Sequence, residues 1–431
     1  MPTSSESVPS DIKLAPTISQ VPCLPKDDLQ SAQTYLEHYG LVARSPCPIR
    51  ASDYYTALND PFLYYLTARL GIRPVLSWSE ALSRGSWMHA YLEHINSPEA
   101  QRTAALSSKL ATRLNELSTL CSNNPTLSYE DVKQREEDDF NYANTICTAL
   151  CDIPFFYEGA EYKLANFLSS RFTTLANEFP LQLIEEGHTK SPLVCVLDRL
   201  VYDKISNQIW IIDYKSCSES PKVRLASAPV EFQTQLYCYI VSKSMFQLIT
   251  KFNLPLDTRF GGMMHIALQK PPIKFDKRTD RPFTWKQHTL KSGPRRGLIE
   301  MRKEYLTDIP DYKCFLARVK RWYLACDEYD DLRVDRMMNP VIDVSLTSSD
   351  LALNHSQLPL RLEFLHDLAT RPAHPGAYLQ NPHSIRTYND LSTYAPFYLC
   401  PVTEWPSIMA KGHLMTFFRD EALMEKLNAG D

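Results

Sequence analysis

The sequence predicts an α/β or α+β protein, a sheet-containing core set inside a helical shell. Three observations predict it. Helical periodicity dominates the chain to about residue 178, and three short β-rich runs follow between Leu181 and Ser216. A helix at about 229–249 and a strand at Arg259–Gln269 then complete the alternation. At 431 residues the chain exceeds one ordinary core, so a compact domain with helical additions is expected.

The elements follow in order. Residues 1–27 carry five prolines among Ser and Thr and read as a mobile tail. Residues 50–75 place Tyr54, Tyr55, Leu58, Phe62, Tyr65 and Leu66 at helical spacing, and a helix at about 79–95 follows. Ser97-Pro98-Glu99 opens a helix to about 121, with proline at its first turn. Ser128 caps another through the acidic Glu136–Asp139 to about Leu150, and a fourth spans 159–178. The pattern changes at Phe179: Leu181–Glu186, Leu193–Tyr202 and Gln208–Ser216 are rich in β-formers and separated by polar turns. Gly261-Gly262 stands near the start of the strand at Arg259–Gln269, and helices return at about 296–306 and 311–327. The segments expected from this reading are a tail at 1–27, a helical region at 28–178, a core at 179–275 and a basic, mixed C-terminal region at 276–431.

Composition sets limits. The hydrophobic share of 44% suits a globular protein, and 30 prolines against 12 glycines make many loops stiff. A net charge of −4 gives no field for a polyanion, but residues 270–303 hold eleven Lys and Arg against three acids. Such a stretch by itself reads first as a solvated loop and helix face, and beside a catalytic site it suits a phosphate backbone. Eleven cysteines without a C-x-x-C pair read as reduced thiols of a cytoplasmic-type compartment. No apolar run approaches the roughly 20 residues of a membrane span, and no secretory signal is visible.

The chemistry concentrates in Leu193–Lys215. Two β-rich runs flank a polar turn near Ile205–Asn207 and should form an antiparallel hairpin. With the turn centred between Ile205 and Ser206, Asp198 lies opposite Asp213, with Cβ atoms about 5 Å apart. Lys215, two residues on, shares the face of Asp213. Opposed like charges among Val194, Val196, Ile209, Ile211 and Ile212 are costly unless a divalent cation sits between them, although a surface ion pair of Asp198 with Arg199 or Lys215 is the simpler alternative. Two acids and a lysine around a cation form a phosphodiester-cleaving set. Gln235 and Tyr239 share a face of the next helix, extended by Glu231. Gly85, His89 and Glu93 share a face of an earlier one, where glycine permits close backbone approach and a neutral imidazole could ligate a metal.

In order, these segments resemble the RecB-type branch of the PD-(D/E)XK nuclease superfamily. Gly85…His89 matches its G-x-x-x-H helix, and Cys195-Val-Leu-Asp198 its G-h-h-D strand. Ile211-Ile-Asp213-Tyr-Lys215 matches its h-h-D-x-K strand and Gln235…Tyr239 its Q-x-x-x-Y helix, while Asp60-Pro61-Phe62 looks like its C-P-x-x-F helix. Gln269–Lys274 and Tyr312–Arg318 look like segments of phage-encoded members. Cys195 stands where the family has glycine.

The resemblance implies a restriction-endonuclease-like central mixed β-sheet flanked by helices, with an added helical N-terminal region and a mixed C-terminal extension. His89, Asp198, Asp213 and the Tyr214 carbonyl would be metal ligands for Mg²⁺ or Mn²⁺, joined by Glu185 or Glu186 from the preceding strand. Lys215 would be the catalytic lysine, with Gln235 and Tyr239 supporting the substrate side. Some relatives hold an iron–sulfur cluster on four cysteines; Asp60 replaces the first and only Cys400 remains of the last group, so no cluster is expected. The implied activity is a DNA nuclease, an exonuclease of recombination, repair or replication. It would act in the host cytoplasm if phage-encoded, with recombination or replication proteins as partners. An endonuclease or a non-cleaving DNA-binding subunit are the alternatives.

Overall fold

Alternating apolar residues, turn residues and helix caps set the architecture that positions the site. The computed structural model describes residue 34 and residues 36–416, except 75–78, 123–127, 185–190, 291, 293–295, 297, 325–339, 354–356, 372–376, 379, 382–393 and 411–413. The proposed tail at 1–27 lies outside these residues, as does the end of the helix expected to reach 327. Two compact units are present. One comprises Met1–Cys47, Tyr55–Pro74 and Leu368–Phe417, the other Pro48–Tyr54, Val75–Asp367 and Phe418–Asp431.

In the larger unit, helices α1 (Glu80–Glu93), α2 (Glu99–Ser122) and α3 (Tyr129–Asp152) form as the periodicity predicts. Ser79 and Ser128 accept N–H groups of Leu82 and Asp131, satisfying donors that a helix start leaves open. The expected fourth helix is shorter. Glu158 and Gly159, both with positive φ (50° and 80°), form the two-residue turn of a hairpin pairing Phe155–Tyr157 with Ala160–Tyr162. Only Leu164–Arg171 is helical, and the β-branched Thr173-Thr174 opens a strand well before Phe179.

That strand, β1 (Thr173–Leu183), precedes β2 (Leu193–Asp203) and β3 (Gln208–Cys217) in an antiparallel meander. The predicted helix after it is broken at Ser244, whose N–H closes α4 (Phe232–Lys243) before a separate helix at Met245–Lys251. Strand β4 (Arg259–Gln269) returns parallel to β3. Its paired glycines are required: a Cβ on Gly261 would overlap the Trp210 ring, and Gly262 (φ 136°) lies against the Thr347 backbone. Strands β5 (Phe283–Thr289) and β6 (Ile299–Tyr305) pair only with each other among the described residues. The second replaces the helix expected at 296–306, because Ile299, Met301 and Tyr305 alternate with Glu300, Arg302 and Glu304, a strand period. Helix α5 (Tyr312–Tyr323) and strand β7 (Ile342–Ser348) follow.

The main sheet of described strands has the order β7-β4-β3-β2-β1 and is mixed, as predicted. One face (Val201, Ile212, Tyr214, Met264, Ile266) packs with Met88, Ile146, Leu150, Phe315 and Val319 of α1, α3 and α5. Burying each large apolar side chain contributes roughly 1.5–3 kcal/mol. Helix α4 lies on the other face, with Phe232, Leu236 and Ile240 buried.

In the smaller unit, Asp60 caps the short helix Pro61–Tyr64, accepting from Phe62 N and Leu63 N at 3.0 Å, and receives the Tyr398 hydroxyl at 2.5 Å. Ile72–Pro74 pairs with Leu414–Thr416. Among the described residues no helix is long and apolar enough to cross a membrane.

Candidate metal centre and catalytic residues

The β2–β3 hairpin sets the site. Its turn is held by Asp203 Oδ1, which accepts the N–H of Ile205 (2.9 Å) and Ser206 (3.3 Å), and Asn207 takes the positive φ (51°) that asparagine tolerates. The ladder runs from Asp203↔Gln208 to Arg199↔Ile212, the register expected from a turn centred between Ile205 and Ser206. Asp198 and Asp213 lie one step further, where pairing stops and Asp198 Oδ2 instead accepts the N–H of Tyr214 at 2.9 Å.

Asp213 is almost completely buried and tightly held. Lys215 Nζ approaches its two oxygens at 2.9 and 3.1 Å, Gln233 Nε2 donates at 2.9 Å, and His265 Nδ1 lies 3.2 Å away. Lys215 also donates to Gln233 Oε1 at 2.8 Å. The fully buried His265 is anchored through Nε2, 3.1 Å from Thr234 Oγ1, whose hydroxyl donates to Ala228 O. Burial alone would raise the Asp213 pKa, but the Lys215 charge and the His265 contact outweigh it and hold the group down to about 2. Asp213 is therefore ionised, and its neighbours fix both of its oxygens.

A second group converges beside it. His89, Glu178 and Asp198 each offer a ligand atom, and these atoms all lie within 4.8 Å of one another. His89 Nδ1 is 3.4 Å from Asp198 Oδ2. Glu178 sits in β1 between the pairs Asn177↔Arg199 and Phe179↔Leu197, across from Asp198, at a positive φ of 45°. A glutamate in that conformation is uncommon and marks a locally constrained strand. Burial and the Asp198 charge push the Glu178 pKa up. Burial opposes charge on His89, yet the contact with Asp198 and the fields of Asp198, Asp213 and Glu178 raise its pKa overall.

These shifts describe an anionic cluster short of positive charge. One imidazole nitrogen and convergent carboxylate oxygens form a donor set that fits a divalent cation.

Main-chain contacts hold the cluster together. Arg199, buried beside Asp198, donates through Nη2 to the carbonyls of Leu92 (2.6 Å) and Glu93 (3.1 Å) at the end of α1. Asn177, beside Glu178, donates to the same Glu93 carbonyl at 3.3 Å. Helix-terminal carbonyls attract cations and donors. The cross-strand pair Asn177–Arg199 thereby ties the His89 helix to both acid-bearing strands.

The structure separates the sequence-predicted residues. His89 and Asp198 meet with Glu178, and Asp213 and Lys215 meet beside them. Tyr214 gives its N–H to Asp198, and its buried ring lies edge-on to His89 with centroids 6.3 Å apart. Gln235 instead accepts from Arg361 Nη1 at 3.1 Å, Tyr239 lies beneath Lys243 Nζ at 5.7 Å, and Glu231 pairs with Arg224 at 2.7 Å. The contact with Lys215 comes from Gln233, and Gln233 in turn bonds Tyr237, whose buried hydroxyl is pushed up in pKa by burial and by the Asp213 and Asp198 charges. The segment Gln233-Thr-Gln235-Leu-Tyr237-Cys-Tyr239 contains the Q-x-x-x-Y spacing twice, and spacing alone does not choose between the copies.

Glu185 and Glu186 lie outside the described residues, while Glu178 supplies a carboxylate from the preceding strand. Gly85 is not crowded by another backbone: a Cβ there would meet only Ser216 Oγ, at 3.8 Å. Much of the basic stretch is matched locally, with Lys274 near Glu80 (3.5 Å), Arg281 on Asp308 (2.7 Å), Lys286 on Glu304 and Arg302 on Glu300.

Comparison with curated proteins finds no match. The family model of the PD-(D/E)XK nuclease superfamily matches residues 50–288, more than half of the chain. That span contains α1, the acid–lysine hairpin, α4 and β4, so by fold, site and sequence the chain belongs to the PD-(D/E)XK nuclease superfamily.

Proposed function

We propose that this nuclease is a Mg²⁺- or Mn²⁺-dependent deoxyribonuclease that acts as an exonuclease of the RecB-type branch, in recombination, repair or replication. The carrying observation is the contact of Lys215 Nζ with Asp213 at 2.9 Å, beside the convergent His89, Glu178 and Asp198. His89, Glu178, Asp198 and Asp213, with the Tyr214 carbonyl, would hold the ion. When bound, it would supply Lewis-acid polarisation of the scissile phosphate and a more acidic water.

The remaining work falls to the chain. Gln233 and Asp213 fix the Lys215 ammonium where negative charge grows on the phosphate under in-line attack. His265 and Gln233 keep the Asp213 carboxylate in one orientation, an outer-shell role that tunes ligand geometry. The order of motifs along the sequence supports the RecB-type branch, and the likeness of Gln269–Lys274 and Tyr312–Arg318 to phage-encoded members supports a phage source, which would set the enzyme in the host cytoplasm.

Labelled linear duplex, single-stranded and closed circular DNA test the reading. Cleavage of the linear forms should require Mg²⁺ or Mn²⁺, stop with EDTA and vanish in Asp213→Ala, while the closed circle stays intact. Cleavage that persists in EDTA, or in Asp213→Ala, refutes the mechanism, and a cut circle makes the enzyme an endonuclease.

A further inference from the structure

The β5–β6 ribbon takes no part in the site, and its two faces differ. One carries Thr284, Lys286 and His288 opposite Glu304, Arg302 and Glu300, where Lys286 pairs with Glu304 and Arg302 with Glu300. The other carries Phe283, Trp285, Gln287 and Thr289 opposite Tyr305, Lys303, Met301 and Ile299, with no acid. On that face Trp285, Met301 and Ile299 are exposed (39%, 47% and 64%), although Trp is a residue that folding usually hides. A cation is interleaved with its rings. Lys303 Nζ lies 4.8 Å from the Phe283 ring and 5.4 Å from the Trp285 ring, while Arg281, 4.3 Å from Tyr305, is already paired with Asp308 at the ribbon's base and is no part of the face. A two-stranded ribbon is marginal in water unless something covers it.

We propose that this face binds an unpaired DNA strand, with a base stacked on Trp285 and the flanking phosphate met by Lys303. Alternating aromatic and cationic groups without acids complement a single strand, whose base faces are open and whose backbone is anionic. A duplex hides its base faces and would be read by edge-directed polar groups, of which this face offers few. The inference rests on the DNA-nuclease reading and deepens it by naming strand state.

Anisotropy of labelled oligo-dT and of a blunt duplex of equal length, measured in EDTA to prevent cleavage, tests it. Trp285→Leu, which keeps an apolar side chain, should weaken oligo-dT binding about tenfold, and Trp285→Phe, which keeps a ring, about twofold or less. Duplex binding should hardly change in either. Retained melting temperatures show that both variants fold; if the Leu variant does not, Lys303→Gln should weaken oligo-dT binding at least about threefold with duplex binding hardly changed, and oligo-dT binding equal to wild type overturns the proposal. Oligo-dT binding by Trp285→Leu equal to wild type overturns the proposal, as does an equal loss for both DNAs. A shift from dimer to monomer in Trp285→Leu without a change in DNA affinity also overturns it, because a second copy would then cover the face. A wild-type chain that neither binds nor cuts DNA removes the nuclease reading itself. One that cuts DNA while Trp285→Leu binds normally removes only the ribbon.

Discussion

Replacing Glu178 with glutamine should move stability in opposite directions with and without metal. The ligand atoms of Glu178 and Asp198 lie within 4.8 Å of each other. At an effective dielectric near 20, two charges at that separation repel by roughly 3 kcal/mol. Partial exposure screens this, so a gain of about 1 kcal/mol for metal-free Glu178→Gln is expected, or about 2–4 °C in Tm. The raised pKa of Glu178 has the same origin.

With Mn²⁺ the sign reverses. At a concentration 100 times the wild-type Kd, binding stabilises by about 2.7 kcal/mol. Losing a ligand should cost at least the roughly 100-fold typical of outer-shell partners, leaving about 0.4 kcal/mol. Differential scanning calorimetry of both proteins in EDTA and in Mn²⁺ reads both limbs. A variant that melts below wild type in EDTA, or gains as much from Mn²⁺, refutes the reasoning.

Other perturbations follow from the same geometry. Arg199→Met removes the donor that grips the end of α1, and calorimetric Mn²⁺ affinity should fall tenfold or more; unchanged affinity would mean that the helix end needs no tether. Gly85→Ala should stabilise the fold by about 0.5–1 kcal/mol of helix propensity, read as a slight rise in Tm, because the added methyl group meets only Ser216 Oγ. A loss of cleavage in that folded variant would show that substrate occupies the space. In EDTA, the Asp213 contribution to stability should be fully present above its ordinary pKa of 3.8 and fade as pH falls toward about 2, since its folded pKa is depressed. His89, with a raised pKa, contributes below about 6.5 and loses that contribution as pH rises through its folded value; melting curves across pH check both limbs. Asp60→Ala removes a helix cap and the Tyr398 acceptor and should cost about 2 kcal/mol, read by denaturant melts.

The hairpin was legible because its signal is local. A polar turn between two apolar runs fixes register, and register places Asp198 across from Asp213. The Ser128 cap of α3 was readable for the same reason, whereas the strand order rests on the non-local β3–β4 and β4–β7 pairings. Glu178 was hidden because Leu164–Phe172 continues a helical pattern almost to it, and the turn at Glu158-Gly159 that shortens the helix gives only a weak signal. Gln233 and Gln235 differ by which face of α4 meets the sheet, and tertiary packing decides that. His265 lies inside an apolar strand with no nearby motif, and its neighbour Asp213 is assigned only by the parallel β3–β4 register. Of the ribbon, only β6 was expected to be a helix (296–306); Glu300 and Glu304 also suit i,i+4 spacing, so local spacing does not separate the two forms.

The grip on the end of α1 falls on two carbonyl oxygens, groups that every amino acid carries. Residues 92 and 93 are thus free to drift in identity while the attachment persists, whereas positions 177 and 199 each carry a side chain that few substitutes could match. Mutational scanning of this region should therefore find its intolerance on the strands, with the adjoining helix positions comparatively permissive.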